Sequence, residues 1–181
     1  TATGTDFFDA EANDLITMFE WGIIVLFLIL WAKGSQKAML RIIVAYCGYV
    51  TLTLAASVIG LVLTLTIRKT VDSAFDLLWD AFMVWTVNVL IFAVWYWLLD
   101  GRDETRKHFL FPQQSNLLPG WENWKPRPLD FLFLAFSHST AFSPTDTAAL
   151  SHRAKLLIMV QATLSLITLA MIAARAVNIL G

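Results

Sequence analysis

Residues 127–150, RPLDFLFLAFSHSTAFSPTDTAAL, decide how this chain is read. Pro128 suits the first turn of a helix, where its missing N–H is no loss. The apolar run that follows, residues 129–136, is only eight residues long. Crossing the hydrocarbon takes roughly 20, and much shorter apolar segments are more often re-entrant or interfacial. From Ser137 to Thr147 the chain turns polar and irregular, with several hydroxyls, His138 and Asp146. A long apolar run then follows directly.

The surroundings of this stretch are those of a membrane protein. Hydrophobic residues make up 57% of the 181 positions and charged ones 15%, against about 45–50% and about 25% in soluble domains. The chain length suits one bundle of about four helices in a single domain. A formal charge of −1 gives no electrostatic support to a nucleic-acid partner, and the single cysteine, Cys47, forms no internal disulfide or cysteine-based metal cluster.

Four apolar spans are predicted, at about 15–32, 42–67, 81–99 and 154–180, with a short helix at 129–136. The first carries one intramembrane acid, Glu20. An acid there is expensive in lipid. It is either an ion or proton ligand or a group near the boundary that snorkels to the headgroups. The second span is rich in small and hydroxyl residues, and Ala56 and Gly60 form a small-xxx-small pair that favours close helix packing. The third has an acidic head in which Asp72, Asp76 and Asp80 recur every four residues on one face. That stripe is either a solvated helix start favoured by the macrodipole or a cation-attracting vestibule. Trp95-Tyr96-Trp97 reads as an interfacial belt at the far end. The long connection at 99–130 holds four prolines and cannot be one helix. Its Phe109, Leu110, Phe111, Trp121 and Trp124 point to contact with the membrane surface or a neighbouring subunit.

Two arrangements fit the opening stretch. In one, Ser143 caps the last helix, Pro144 takes its first position, and Asp146 stands three residues after the cap. The short helix then lies on the surface and the polar residues connect. In the other, a half-helix, an extended polar segment and a span follow one another, the layout of ion-selectivity loops. Thr140, Ser143, Thr145 and Asp146 then line a pore-like loop.

The unit from about residue 81 to 180 resembles the helix–pore loop–helix module of potassium-channel-like proteins. Thr140 and Asp146 match the threonine that begins and the aspartate that closes that family's filter. Ser143 and Thr145 stand where the family has glycines, and Pro144 where it has an aromatic, so potassium selectivity is not implied. The phrases STAFSPTDT and RAKLLIMVQ…ARAVNIL are also similar to those of an uncharacterised family of small multi-pass bacterial inner-membrane proteins.

Other chemistries lack support. His108, His138 and His152 are scattered, no phosphate-binding, dinucleotide or hydrolase motif occurs, and no nucleophile–base pair is visible. No enzyme activity, metal or cofactor is expected. Bases gather in 33–41 and in the 102–155 connection, so the positive-inside rule puts both termini outside. The expectation is an all-α integral membrane protein of a bacterial inner membrane. It is channel-like or transport-related, or alternatively a non-catalytic accessory subunit of a larger membrane complex. Its partners are the lipid bilayer and either further copies of itself or that complex, with no nucleic acid.

Overall fold

The computed structural model describes residue 22 and residues 36–67, 74–101, 107–114, 120–121, 123–140 and 146–180. Along the chain these form α1 (Gln36–Ile67), α2 (Ala74–Asp100), β1 (Phe109–Leu110), a single 3-10 turn, α3 (Pro128–Thr140), β2 (Ala148–Ala149) and α4 (His152–Leu180). Three of the helices, α1, α2 and α4, are long and apolar enough to cross a membrane. The predicted span at 15–32, with Glu20, lies outside the described residues except for helical Gly22. The chain divides into Thr1–Tyr46 and Cys47–Gly181. The second unit carries the architecture that follows.

On α1, Cys47, Leu54 and Val58 are buried along one stripe. Thr51 shares that stripe and is doubly used. Its hydroxyl donates to Cys47 O (2.7 Å) and accepts from Trp95 Nε1 (2.9 Å). Thr53 and Ser57 return their hydroxyls to Val50 O and Thr53 O, both at 2.9 Å. Such local bonds make hydroxyls tolerable in an apolar helix.

The core lies where α2, α3 and α4 meet. α3 buries one stripe, Phe131, Leu134, Ala135 and Ser139, and α4 another, Ala154, Gln161, Ser165, Thr168 and Met171; α2 buries Ala81, Asn88, Phe92 and Tyr96 and, more broadly, Val89, Ile91, Ala93 and Leu98. The three- and four-residue steps within the two stripes bring the side chains to one face. The opposite faces are apolar too, as in Leu90, Leu156, Met159 and Leu166, which suits helices surrounded by lipid.

α3 begins as its sequence suggests. Asp130 reaches back and accepts the Arg127 N–H at 2.6 Å. It ends later than predicted, at Thr140 rather than 136. Ser137, Ser139 and Thr140 donate to the carbonyls of Phe133, Phe136 and Ser137 at 2.8, 2.9 and 3.2 Å. His138 Nδ1–H donates to Leu134 O at 2.8 Å. These side chains satisfy themselves against the helix, so polarity does not end it.

The start of α4 corrects the cap reading. Ser143 and Pro144 lie outside the described residues, but α4 begins at His152, and Ser151 is its cap. Ser151 Oγ accepts the Ala154 N–H at 3.1 Å. The reason is a two-residue ladder: Phe109 pairs with Ala149 and Leu110 with Ala148, antiparallel. Leu150 N–H extends it to His108 O at 2.9 Å. The extended backbone this pairing requires delays the helix to residue 152. Asp100, in the last turn of α2, holds the other side by accepting the N–H groups of His108 (3.0 Å) and Phe109 (3.3 Å).

Ser151 also shares a hydrogen bond with His108 Nδ1 at 2.7 Å. Ser151→Ala removes both the cap and this link. Caps contribute about 1 kcal/mol and a neutral hydrogen bond about as much, so a loss of about 1–2 kcal/mol is expected in denaturant unfolding of the detergent-solubilised protein. An unchanged midpoint would show that the ladder alone positions α4.

Candidate functional site

The most distinctive site is a polar cluster inside the three-helix junction. Gln161 on α4 is its centre and is fully buried. Its Nε2 donates to Ala135 O on α3 at 2.8 Å, and its Oε1 accepts from Tyr96 OH on α2. Asn88 Nδ2, also on α2, donates to Ser165 Oγ at 2.5 Å and to the Gln161 carbonyl at 3.4 Å. One amide side chain therefore joins all three helices, and a second reinforces the α2–α4 contact.

Two polar atoms in this region have no protein partner, Asn88 Oδ1 and Trp85 Nε1. They lie three residues apart on α2, on neighbouring positions of one face. The Trp85 ring meets Phe136 of α3 edge-on at 5.8 Å. A buried acceptor and a buried donor left unpaired cost about 1–3 kcal/mol each unless water reaches them.

Aromatic rings tie this cluster to the connection above it. Tyr96 contacts Phe109 at 5.2 Å and His138 at 6.2 Å. Phe131 stands edge-on to Phe111 at 5.5 Å and to Phe109 at 6.4 Å, and Phe111 contacts Trp124 at 5.5 Å. Phe109 and Phe111 are buried within the chain's own fold. The expectation that they meet the membrane surface or a neighbour is thus corrected for these two. Trp121 remains exposed. Tyr96 leaves the expected Trp95-Tyr96-Trp97 belt for the same reason: its ring is fully buried, while Trp97 is exposed.

The sequence-predicted site residues fare differently. Thr140 is in the last turn of α3 with its hydroxyl bonded to Ser137 O. Ser143 and Thr145 lie outside the described residues, and Asp146 is exposed in a bend just before β2. Of the acidic stripe, Asp80 is exposed, Asp72 lies outside the described residues, and Asp76 is described only as part of the α2 backbone. Glu20 lies outside as well. Among the described residues no group of three His, Cys, Asp or Glu side chains could hold a metal ion. His138 and His152 serve different places: His138 is beside Tyr96, and His152 is exposed at the head of α4.

The residues missed in the sequence are those of the cluster itself. Gln161, Ser165 and Thr168 look scattered among Thr163 and other polar positions. Their spacing of four and three is the available signal, because it puts them on one face. Thr163 falls off that face, is exposed, and bonds Met159 O at 2.8 Å. Compared with family models, curated proteins and solved structures, the chain matches none.

Proposed function

We propose that this chain is a pore-loop membrane protein that assembles with copies of itself and conducts an ion. In this reading α3 is a half-helix that enters the bilayer between α2 and α4. The observation that carries it is the Gln161–Ala135 bond. Gln161 is nine residues past His152, or about 14 Å along the axis at 1.5 Å per residue. That is near the middle of a hydrocarbon core about 30 Å thick. A second contact agrees: Phe136 meets Trp85, which lies fifteen residues back from Asp100, about 22 Å at the same rise. Both contacts favour a helix that enters the bilayer over one that lies on its surface.

Two physical features favour an ion path at the end of α3. The C-terminus of a helix carries a partial negative charge of about half a unit, which favours a cation. The unpaired Asn88 Oδ1 and Trp85 Nε1 call for water at that depth, and irregular backbone is stable in a membrane only beside protein or water. Thr140 and Asp146 bound the polar segment, with Ser143 and Thr145 between them in the chain. In this reading the positive-inside rule supports a cytoplasmic face, in a bacterial inner membrane, for the basic 102–155 connection.

The test is ion flux into liposomes holding the purified protein. Cation flux is expected, reduced severalfold by Asp146→Asn, from a homo-oligomer. An inert protein indifferent to that substitution would sink the channel reading. One observation favours the accessory-subunit alternative: α3 presents Leu129, Phe133 and Phe136 outward, at 72%, 66% and 47% exposure. If a larger membrane protein co-purifies in fixed ratio and covers that strip, this second reading replaces the first.

A further inference from the structure

Where α2 ends and α4 begins, the two helices together with Lys107, His108, Leu150 and Ser151 line an open cleft of about 990 Å³. Its walls are of two kinds. Lys107, His152 and Arg153 are among its basic lining residues, and Trp95, Leu98 and Leu156 are among its apolar ones. We infer that this cleft binds an anionic phospholipid, its phosphate held by Lys107 and Arg153 and an acyl chain lying against Trp95, Leu98 and Leu156.

The order of the two walls along the helices supports this occupant. On α4 the basic pair His152 and Arg153 comes first, and Leu156 follows one turn deeper. On α2, Leu98 and Trp95 lie progressively deeper than the Asp100 end. Cationic groups therefore stand at headgroup level and apolar ones at the level of the hydrocarbon, the profile of a lipid itself. No carboxylate lines the cleft among the described residues, and the nearby Asp100 is committed to backbone N–H groups. Lys107 and Arg153 are exposed, and neither has an ion-pair partner among the described residues. Basic side chains at an anionic surface attract its lipids in proportion to their number. Here the cleft adds a shaped apolar site below them, of a volume at the upper end for ligand pockets. The inference needs only that α2 and α4 span the membrane; it is independent of conduction.

Native mass spectrometry of the delipidated full chain, mixed with phosphatidylglycerol or phosphatidylcholine, tests it. The wild type should retain phosphatidylglycerol about tenfold better. Lys107→Gln with Arg153→Gln should abolish the preference, and the charge-keeping pair Lys107→Arg with Arg153→Lys should retain it. Millimolar inorganic phosphate should not displace the lipid. Equal retention of the two lipids, a preference that survives the double glutamine change, or displacement by phosphate alone would each overturn the assignment.

Discussion

Gln161→Ala is expected to lower stability by about 2–4 kcal/mol and to release α3 from its place between α2 and α4. The side chain satisfies Tyr96 OH and Ala135 O, both in a site shielded from water. Removing it leaves each of these groups unpaired at about 1–3 kcal/mol. Two such groups sum to about 2–6 kcal/mol, and interhelical hydrogen bonds in membranes average nearer 0.6 kcal/mol when the surroundings can re-pair, which brings the upper end down. Gln161→Leu separates volume from polarity. It refills the space but leaves the same two groups unpaired, so most of the loss should remain. Thermal unfolding in detergent gives the magnitude. The position of α3 is read by maleimide labelling of Leu134→Cys in membranes, where the thiol, at a site 1% exposed, should be protected in the parent and labelled once Gln161 is changed. Full protection in both would mean that packing alone seats α3.

Phe131→Ala should cost more, about 3–5 kcal/mol, the range for deleting a buried phenyl ring. The ring is 2% exposed and stands edge-on to both Phe109 and Phe111. Through Phe109 it reaches Tyr96, so its loss also loosens the hydroxyl that bonds Gln161. Phe131→Leu keeps most of the volume and should cost less than half as much. Equilibrium unfolding of the two variants side by side checks this. Equal, small losses would show that the aromatic connection rests on α2 and α3 without bracing them.

The helices were legible from composition and length because lipid demands long apolar segments, and α1, α2 and α4 supply them. The short helix was legible from Pro128 and its brief apolar run, but its end was not. Ser137 to Thr140 read as loop because their polarity is visible in sequence, whereas the carbonyls that absorb it become available only once the helix exists. The start of α4 misled for a related reason. Ser143-Pro144 carries a good local cap signal, yet the choice was made by pairing between residues 40 positions apart, Phe109 and Ala149. No local rule sees such a contact. The Gln161 cluster was hidden by the same distance: Asn88, Ala135 and Gln161 come from three separate helices, and only the spacing of Gln161, Ser165 and Thr168 hinted at a shared face.

The small ladder of Phe109–Leu110 with Ala148–Ala149 has an architectural meaning. It holds the way in and the way out of the 111–147 insert side by side, about 5 Å apart as neighbouring strands must be. The insert is therefore tied at its base, whatever its middle does. Within it α3 is held separately, by the buried Phe131, Leu134 and Ala135 and by the Gln161 bond to Ala135 O, so the ladder fixes the two ends and the helix junction fixes the middle. The ladder thus sets where the insert leaves and rejoins the long helices, and the Gln161 cluster sets how far along them α3 sits.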